Sequence, residues 1–559
     1  MQRTTDTWFS TGYILRHTAR ASIGLAAALM ASSAFAFRLD LDNPDLVVFW
    51  DNTIRLNAGW RAEDIDDAIG DNPVYDESDY KFDKGDMIQQ RIDLLSELDI
   101  IWKQDYGARF SAAAWYDHAY DDTDVEQNPV FKQAGFQTAY YNATYSSLVK
   151  NYYRGPYGEI LDAFVFANHT FGEVPVSVKA GQFSTFWGMA LFYAGSIAQS
   201  QQPVDGRKVA ATPGTEIKEA FLPLTQFNIN MQLTPTLGLD AQYYFDWDDT
   251  RIPEGGTFLA FADPAGDGPD QTGTLSPNRP NLKRIKAVEP NSKAGNWGVA
   301  LKYSPDWLRG QTLGLYYRKF DENIGWLTVA PDFSGYRWVY PTDTKLVGIS
   351  FDGQLGKFAV GAEVGYHMDA GLKTPSFSPT NEGARGDTWH ALINTIYLLP
   401  QTALFDTGTL VAELSYDRLD KVTENEALFQ YEGDPACRAV TGGPGDASWG
   451  CATRDAWGVG VTVTPKWLQV RPSLDVSLPL RLTMGLDGNS AVIQGVNENA
   501  GAWSVGLEMQ YNVIHTLTIA YADAFADRHV SDGVLLGGNG SNASTSDRGR
   551  VTITYKVAF

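Results

Sequence analysis

Ionisable side chains of both signs recur on the polar faces of alternating segments in this chain. Lys179, Arg318, Glu363 and Glu413 are the members that we select as candidates for a functional pathway. Opposite charges facing a water-filled passage would create a transverse field that orders water and orients a polar or amphipathic solute. The alternative is that these charges pair with one another and only stabilise the protein. The further members of the set are Asp93, Glu97, Asp99, Asp240, Asp246, Asp475, Glu508, Arg55, Arg109, Lys302 and Lys556.

The sequence lacks the motifs that mark common catalytic sites. It contains no G-x-S-x-G, no H-E-x-x-H, no Walker loop and no G-x-G-x-x-G leading into a helix. The histidines are scattered, and His390 is expected to be a lone polar residue of the interior. We therefore predict no catalytic residues, no cofactor and no enzymatic activity. A hydrolase with its catalytic groups on rim strands is retained as an alternative.

Two cysteines, Cys437 and Cys451, bracket a segment rich in Gly and Pro. In an exported protein such a pair predicts a local disulfide, which would constrain the loop by roughly 3 kcal/mol. Two free buried thiols are the alternative. The acidic runs 121–124 and 63–67 could hold Ca²⁺ or Mg²⁺, alone or bridging lipopolysaccharide phosphates, but they lack EF-hand spacing. We expect solvated acidic loops and predict no metal site.

The charged positions belong to amphipathic strands, and the last nine residues are the clearest example. Residues 551–559 alternate apolar and polar side chains, with Tyr555, Val557 and Phe559 on the apolar face. In a closed transmembrane barrel this face would meet lipid, and pairing with the first strand would remove the exposed edge. The three residues also resemble the carboxy-terminal signal that outer-membrane barrels present to their assembly machinery.

The same alternation recurs from residue 46 onward. It predicts an all-β fold, a transmembrane antiparallel β-barrel of about eighteen strands, with sixteen as the alternative count. Short links such as 103–107 alternate with long ones such as 117–157 and 184–224. Short turns on one rim and long loops on the other are typical of outer-membrane barrels. Segment 160–171 is ambiguous, because apolar residues occupy both of its faces.

The amino terminus has the features of a cleaved export signal. Basic residues precede an apolar run, and small residues end in Ala34-Phe35-Ala36. The predicted organisation is a signal peptide at 1–36, a short periplasmic segment at 37–45 and a single barrel domain at 46–559. A net charge of −23 leaves no basic surface for nucleic acid. The predicted location is the outer membrane of a Gram-negative bacterium.

Eighteen strands enclose a lumen too wide for wall side chains to fill. We predict that loop 184–215 enters it, because residues 189–198 are too apolar to suit a solvent-exposed loop. Packing of this loop on the barrel rim is the alternative. Trp187, Phe192 and Tyr193 in this loop complete the pathway candidates. A tyrosine cluster between residues 140 and 157 could contact incoming lipids or sugars, or pack against neighbouring loops.

Three motifs in this region carry a family resemblance. They are Gly181-Gln-Phe-Ser-Thr-Phe-Trp-Gly188, Gln202-Pro-Val-Asp205 and Pro213-Gly-Thr-Glu-Ile-Lys-Glu-Ala-Phe-Leu-Pro-Leu224, followed by a hairpin to Trp247. With the strand layout, they resemble the proteobacterial outer-membrane family catalogued as domain of unknown function 1302, over most of the mature chain. Gln182 and Met189 depart from its pattern of Arg and an acidic residue. The family is similar in outline to barrels that admit fatty acids, and its members are often encoded with lipid, steroid or hydrocarbon metabolism, which implies passive passage of hydrophobic compounds.

We therefore expect an outer-membrane channel for small hydrophobic or amphipathic compounds of lipid, fatty-acid or hydrocarbon type. The alternatives are a general porin for hydrophilic solutes, and a non-conducting structural barrel or barrel hydrolase. The expected partners are outer-membrane lipid and lipopolysaccharide, the barrel assembly machinery, and optionally a periplasmic or exporter protein. No nucleic-acid partner is expected.

Overall fold

The structure is a computed structural model that describes residues 37–39, 43–193, 195–211, 217–276, 279–438 and 444–559. The predicted signal peptide at 1–36 lies outside the described residues. So do residue 194 and residues 212–215 of the predicted lumen loop.

The described residues form eighteen barrel strands, labelled β1–β18 in chain order, and each is antiparallel to its neighbours. The first nine are Leu46–Arg61, Met87–Trp102, Tyr106–Asp117, Tyr157–Phe171, Val174–Phe183, Leu224–Thr234, Leu237–Tyr244, Trp297–Tyr303 and Thr312–Phe320. The last nine are Thr344–Leu355, Phe358–Gly371, Arg385–Leu399, Thr407–Glu424, Asp455–Arg471, the paired segments Leu474–Ser477 and Leu480–Asp487, Gly501–Tyr511, His515–Phe525 and Arg550–Ala558.

The barrel is closed by its first and last strands. Thr53 on β1 lies opposite Ala558 on β18, and the pairing continues to Arg61 opposite Arg550. Beyond it, the backbones of Asn52 and Phe559 exchange hydrogen bonds of 2.7 and 2.8 Å. Closure leaves no exposed sheet edge and satisfies the backbone polar groups within the wall. The predicted all-β barrel of eighteen strands is confirmed.

Connections alternate in length around the barrel, as predicted. Links after even-numbered strands are short, such as 172–173 and 356–357. Links after odd-numbered strands are long, such as 118–156 and 245–296. The long loops therefore gather at one rim, which is the extracellular rim of an outer-membrane barrel. A short strand, Phe37–Leu39, pairs with β1 near the opposite rim.

The outer face of the wall is apolar. Ile92, Val165, Ile349 and Ile393 are 46%, 56%, 57% and 53% exposed, as expected of side chains that face lipid. The inward faces carry the polar residues of the same strands. This architecture and its apolar belt place the protein in the outer membrane of a Gram-negative bacterium.

A β-bulge in β4 explains why the sequence pattern does not show which of its side chains face the lumen. The register with β3 shifts between Phe110 and Ala112, which inserts one extra residue into the pairing. As a result Ile160 and Val165 point outward, while Leu161 and Phe164 are buried on the inside. Simple alternation could not assign these faces because the bulge changes the phase within the strand.

The elements outside the wall are short. The α-helices are Asp67–Gly70, Asp76–Asp79, Pro129–Gln133, Ser147–Val149, Gly206–Ala211 and Ile217–Ala220. Single 3-10 or π turns are His118–Tyr120, Tyr141–Ala143, Lys150–Arg154, Asp306–Leu308, Glu426–Leu428, Pro435–Arg438, Ala447–Trp449 and Ser541–Ser544. The loop strands are Trp326–Val329, Tyr336–Val339 and Ser378–Pro379 in one small sheet, and Arg528–Ser531 with Val534–Gly538 in another. Within the described ranges, no helix has the length and apolar character needed to cross a membrane.

The long loops pack into a cap over the extracellular rim. Phe82, Tyr120 and Phe258, from three different loops, share one buried apolar cluster. The guanidinium of Arg61, fully buried, donates to carboxylates of Asp79 at 2.7 Å and Asp547 at 2.9 Å. Loop packing and ion pairs thus tie the cap to the top of β1.

Candidate functional site

The connection from β5 to β6, residues 184–223, turns into the barrel directly after Phe183; we call it the lumen loop. Trp187 is 3% exposed, and its indole N–H donates to Asp240 on β7 at 3.2 Å. Its backbone N–H donates to the side chain of Gln201 at 2.7 Å, which joins the outgoing and returning arms of the loop. Gly188 follows with φ +88°, and a Cβ there would lie 2.7 Å from the carboxylate of Glu363. The Trp-Gly pair therefore allows both the turn and the close approach to the wall.

Two wall carboxylates hold the backbone of this loop. Glu363 on β11 accepts hydrogen bonds from the N–H groups of Met189 at 2.5 Å and Ile197 at 3.2 Å. Met189 and Ile197 lie on opposite arms, so one carboxylate clamps both. Charge-assisted hydrogen bonds of this kind are stronger than neutral ones.

Glu413 on β13 holds the tip of the loop. Its two oxygens accept the N–H groups of Leu191 at 2.6 Å, Phe192 at 3.1 Å and Tyr193 at 2.8 Å. The Tyr193 hydroxyl donates to the carbonyl of Val459 on β14 at 2.9 Å and lies 3.2 Å from the carbonyl of Met484 on β15. The tip is therefore fixed to three adjacent strands.

Arg318 on β9 supports the returning arm. Its guanidinium donates to the carbonyls of Ile197 at 2.9 Å, Gln199 at 2.6 Å and Ser200 at 3.2 Å. The side chain is 1% exposed and lies over the ring of Phe320 at 4.5 Å. In this position Arg318 satisfies loop carbonyls that would otherwise be buried without donors.

Glycines on the inner wall make room for the apolar side of the loop. A Cβ on Gly298 would lie 2.7 Å from Trp187, one on Gly348 2.7 Å from Ile197, and one on Gly460 2.3 Å from Phe192. Similar close approaches hold for Gly361 against Met189 at 3.0 Å, Gly365 against Ser196 at 2.9 Å and Gly458 against Tyr193 at 3.3 Å. We call these six residues the glycine seat. At most of these positions, replacing glycine by a residue with a side chain would push the loop away from the wall and into the lumen.

The remainder of the lumen loop is held by ion pairs. Arg55 on β1 pairs with Glu219 through two hydrogen bonds of 3.0 Å. Asp205 accepts from the Tyr152 hydroxyl at 2.6 Å and from Arg251 at 3.1 Å. The loop therefore contacts the wall from β1 to β15.

A large cavity lies between the lumen loop and the extracellular loops; we call it the vestibule. Its volume is about 1380 Å³, and it is lined by Tyr193 of the loop tip and by Thr483 and Met484 of β15. The aromatic residues that line it from the cap include Tyr75, Phe261, Trp326, Trp338, Tyr340 and Phe377. Below it, Arg481 lies over the ring of Phe192 at 5.4 Å. The vestibule is thus an aromatic compartment that ends at the loop tip.

The structure separates the predicted pathway residues into two places. Trp187, Phe192, Tyr193, Arg318, Glu363 and Glu413 all meet where the lumen loop contacts the wall. Lys179 lies elsewhere, between the rings of Phe164 and Phe183, at 4.5 and 4.9 Å. In the first group the polar side chains bind the loop backbone, and Tyr193 alone lines the vestibule.

Several of the other inward charges form wall ion pairs, which was the alternative interpretation. Arg109 pairs with Glu97, with Asp99 at 2.9 Å and with Asp162 at 3.3 Å. Lys466 likewise pairs with Asp475 at 3.0 Å. These charges stabilise the wall more than they polarise the lumen.

Three polar residues under the loop have the geometry of a hydrolytic triad. The Thr388 hydroxyl lies 2.8 Å from Nε2 of His390, whose Nδ1 lies 2.7 Å from Asp417. Thr388 and His390 are each 1% exposed, and neither lines the vestibule. A buried hydroxyl offers no nucleophile to a substrate. Among the described residues, no grouping of His, Cys, Asp or Glu has the arrangement of a metal site.

The remaining predicted features lie in the cap. Cys437 and Cys451 form a disulfide with a Cα–Cα distance of 5.5 Å. Of the tyrosine cluster, Tyr140 and Tyr145 are 1% and 2% exposed and pack against residues of other loops. Tyr152 is 4% exposed and packs against the barrel wall, on Leu95, Trp115 and Leu161. Tyr555 and Val557 lie in β18. The Tyr555 hydroxyl and Nδ1 of His515 are 2.8 Å apart and form a hydrogen bond.

Sequence reasoning missed the glycine seat and Lys373, a vestibule residue described below. The seat had a signal, since glycines inside strand patterns often mark a close approach of another segment. Lys373 had none, because it lies in a loop without a motif.

The chain is similar in outline to several solved structures. They include OccAB3 of Acinetobacter baumannii, at 9% identity and TM-score 0.41, covering 92% of this chain and 99% of that one. A BenF-like porin from Pseudomonas fluorescens Pf-5 has 10% identity and TM-score 0.39, with coverage of 92% and 99%. OccD3 (OpdP) of Pseudomonas aeruginosa has 12% identity and TM-score 0.38, with coverage of 94% of each chain.

No curated protein matches the sequence. One family model matches almost the whole chain, over residues 17–559, and its description is Protein of unknown function (DUF1302). The motifs around the lumen loop lie inside this match, and so do all eighteen strands. The chain belongs to the DUF1302 family.

Proposed function

We propose that the protein is an outer-membrane channel for the passive passage of small hydrophobic or amphipathic compounds. The observation that carries the proposal is the apolar tip of the lumen loop, fixed by Glu413 at the end of an aromatic vestibule. A solute that moves from the vestibule into the barrel would pass Tyr193 and the ring of Phe192. Apolar ring surface favours solutes that carry apolar groups over hydrated ions.

The state of the wall charges also supports this proposal. A general porin uses free charges at its constriction to orient water and hydrophilic solutes. Here Glu363, Glu413 and Arg318 bind the backbone of the loop, and Arg109 is paired. Few charges at the loop are left to act on a solute.

The same geometry supports our proposal that the function is non-enzymatic. The hydroxyl-bearing Thr388 and its partner His390 are each 1% exposed, and neither lines the vestibule. Hydrolysis of a fluorogenic ester that disappears in Thr388→Val would overturn this part of the proposal. The apolar belt fits outer-membrane lipid, and we propose lipopolysaccharide and the assembly machinery as further partners, with a periplasmic or exporter protein as an option.

Uptake by intact cells tests the channel. A deletion strain should take up 4-phenylbutan-1-ol more slowly than the complemented strain, while arabinose uptake is unchanged. In planar bilayers the purified protein should show only a small conductance. A large, stable conductance with arabinose permeability would establish a general porin instead, and no difference in either uptake would indicate a non-conducting barrel.

A further inference from the structure

The vestibule is large enough to hold a small molecule, and aromatic side chains form part of its lining. Its volume of about 1380 Å³ exceeds the roughly 300–1,000 Å³ of a typical small-molecule pocket. Trp326 is 3% exposed with its indole N–H bonded to the Leu372 carbonyl at 2.7 Å, and Trp338 donates to Gly266 at 3.2 Å. Trp338 is half-buried, and because its indole N–H has a hydrogen-bond partner, its ring offers apolar surface in a fixed orientation.

One ammonium group faces this aromatic compartment. Lys373 follows β11, and its backbone is held by hydrogen bonds with Ala491 at 2.8 Å and Gln430 at 3.1 Å. Its Nζ donates to the side-chain oxygen of Asn497 at 2.6 Å. Among residues that the structure describes, this is its one hydrogen-bond partner, and it has no ion pair. Lys373 lines the cavity, and two of the three donors of its ammonium have no partner among the described residues.

The other charged residues of the vestibule do not neutralise Lys373. Asp267 pairs with Arg284 at 3.1 Å. Burial raises the pKa of Asp249 to about 7, which weakens its negative charge at neutral pH. Arg279 lies exposed at the cavity lining and adds positive charge. The charges that line the vestibule therefore favour the binding of an anionic ligand.

Lys373 itself is destabilised as a cation. Burial lowers the pKa of Lys373 to about 7, although the carboxylate of Asp417 acts in the opposite direction. A desolvated charge with incomplete hydrogen bonding gains free energy when an opposite charge binds beside it. A carboxylate would supply that charge together with acceptors for the unused N–H groups.

We propose that the vestibule is a binding site for amphipathic monocarboxylates. The carboxylate binds the ammonium of Lys373 beside Asn497, and the apolar body of the ligand lies against the half-buried rings of Trp338 and Phe377. This inference rests on the proposed function, since it names the chemical class for which the channel is selective. It goes further by assigning the selectivity to one residue of the cap.

Equilibrium binding to the purified full-length protein in nanodiscs tests the site. Isothermal titration would compare 4-phenylbutyrate, 4-phenylbutan-1-ol and 4-phenylbutylamine, which share an apolar body and differ in charge. The carboxylate should bind about tenfold more tightly than the alcohol, as expected for one charge-assisted pair. The amine should bind more weakly than the alcohol. Equal affinities for the three compounds, or a preference for the amine, would overturn the proposal.

Two variants of Lys373 and one control localise the effect. Lys373→Met should reduce the affinity for 4-phenylbutyrate to that for the alcohol, and Lys373→Arg should retain the preference. Lys84→Met, on an exposed lysine of another loop, should leave all three affinities unchanged. A carboxylate preference that survives in Lys373→Met rules out the assigned site. If the wild-type protein shows no carboxylate preference while cells still take up the alcohol at the normal rate, this inference is rejected and the channel proposal stands.

Discussion

The carboxylate of Glu413 accepts the backbone N–H of Tyr193 at 2.8 Å, which joins the inner wall to the tip of the lumen loop. The same carboxylate accepts the two preceding N–H groups. Tyr193 lines the vestibule, so Glu413 helps to fix the surface at which the vestibule meets the lumen. The opening of the channel should depend on this contact.

Replacing Glu413 should release the loop tip. Glu413→Gln keeps one acceptor but removes the charge and places an amide N–H among three donors. Each charge-assisted hydrogen bond is worth about 1.5–3 kcal/mol, so we expect larger and noisier single-channel conductance in planar bilayers. Glu508→Gln, which changes an inward carboxylate bonded to Ser477, is the matched control and should behave as wild type. Identical conductance traces for both variants would contradict the anchoring role.

A side chain added to the glycine seat should displace the loop. Gly460→Val would place a Cβ 2.3 Å from the ring of Phe192, inside the contact distance of any two carbon atoms. The ring must move away from β14, so single-channel conductance should change while the folded barrel still migrates as a compact species on unheated gels. Gly238→Ala is the control, because its nearest neighbour would be 3.6 Å away. Unchanged conductance in Gly460→Val would show that the loop is not seated there.

The strands and their order follow from alternation alone, but the contacts of the lumen loop do not. The six glycines of the seat occupy inward positions of strands, which indicates that another segment approaches the wall closely there. The sequence does not show that this segment is the lumen loop. Glu363 and Glu413 were predicted as pathway charges. Their partners are backbone N–H groups more than 160 residues away in the chain, which no side-chain pattern encodes. The faces of β4 could not be assigned because one bulge shifts its phase.

Removing the disulfide should loosen one side of the vestibule. Cys437 lines the cavity, while the carbonyl of Cys451 is also held by Asn489 at 2.7 Å. The double variant Cys437→Ala/Cys451→Ala should therefore free the segment around Cys437 and lose about 3 kcal/mol of loop constraint. Limited proteolysis should cut the 425–454 connection faster in this variant, and reducing agent should produce the same effect in the wild type only. Equal cleavage rates would contradict this role.

Alkaline pH should loosen the cap through a buried carboxyl cluster. Burial raises the pKa of Asp76 to about 8, with the charge of Asp263 adding to the effect, and burial raises the pKa of Asp263 to about 7. Asp263 accepts hydrogen bonds from the Glu77 N–H at 3.1 Å and the Ser78 hydroxyl at 2.8 Å. Carboxyl groups in an unfolded loop ionise near pH 4, so between about pH 4 and 8 the folded cap binds more protons than the unfolded one.

The stability of the cap should therefore be complete below about pH 4 and fall as the pH rises to 8, by on the order of a few kcal/mol. Hydrogen exchange in residues 62–86 should be faster at pH 9 than at pH 6 after correction for the intrinsic rate. Asp76→Asn imitates the protonated form and should flatten this dependence. Asp64→Asn, at a carboxylate that is 78% exposed, should leave it unchanged. Since Asp76 and Asp64 share one loop, an equal response of the two variants would assign the pH dependence to the net charge of the loop, and the burial of Asp76 would then have no part in it.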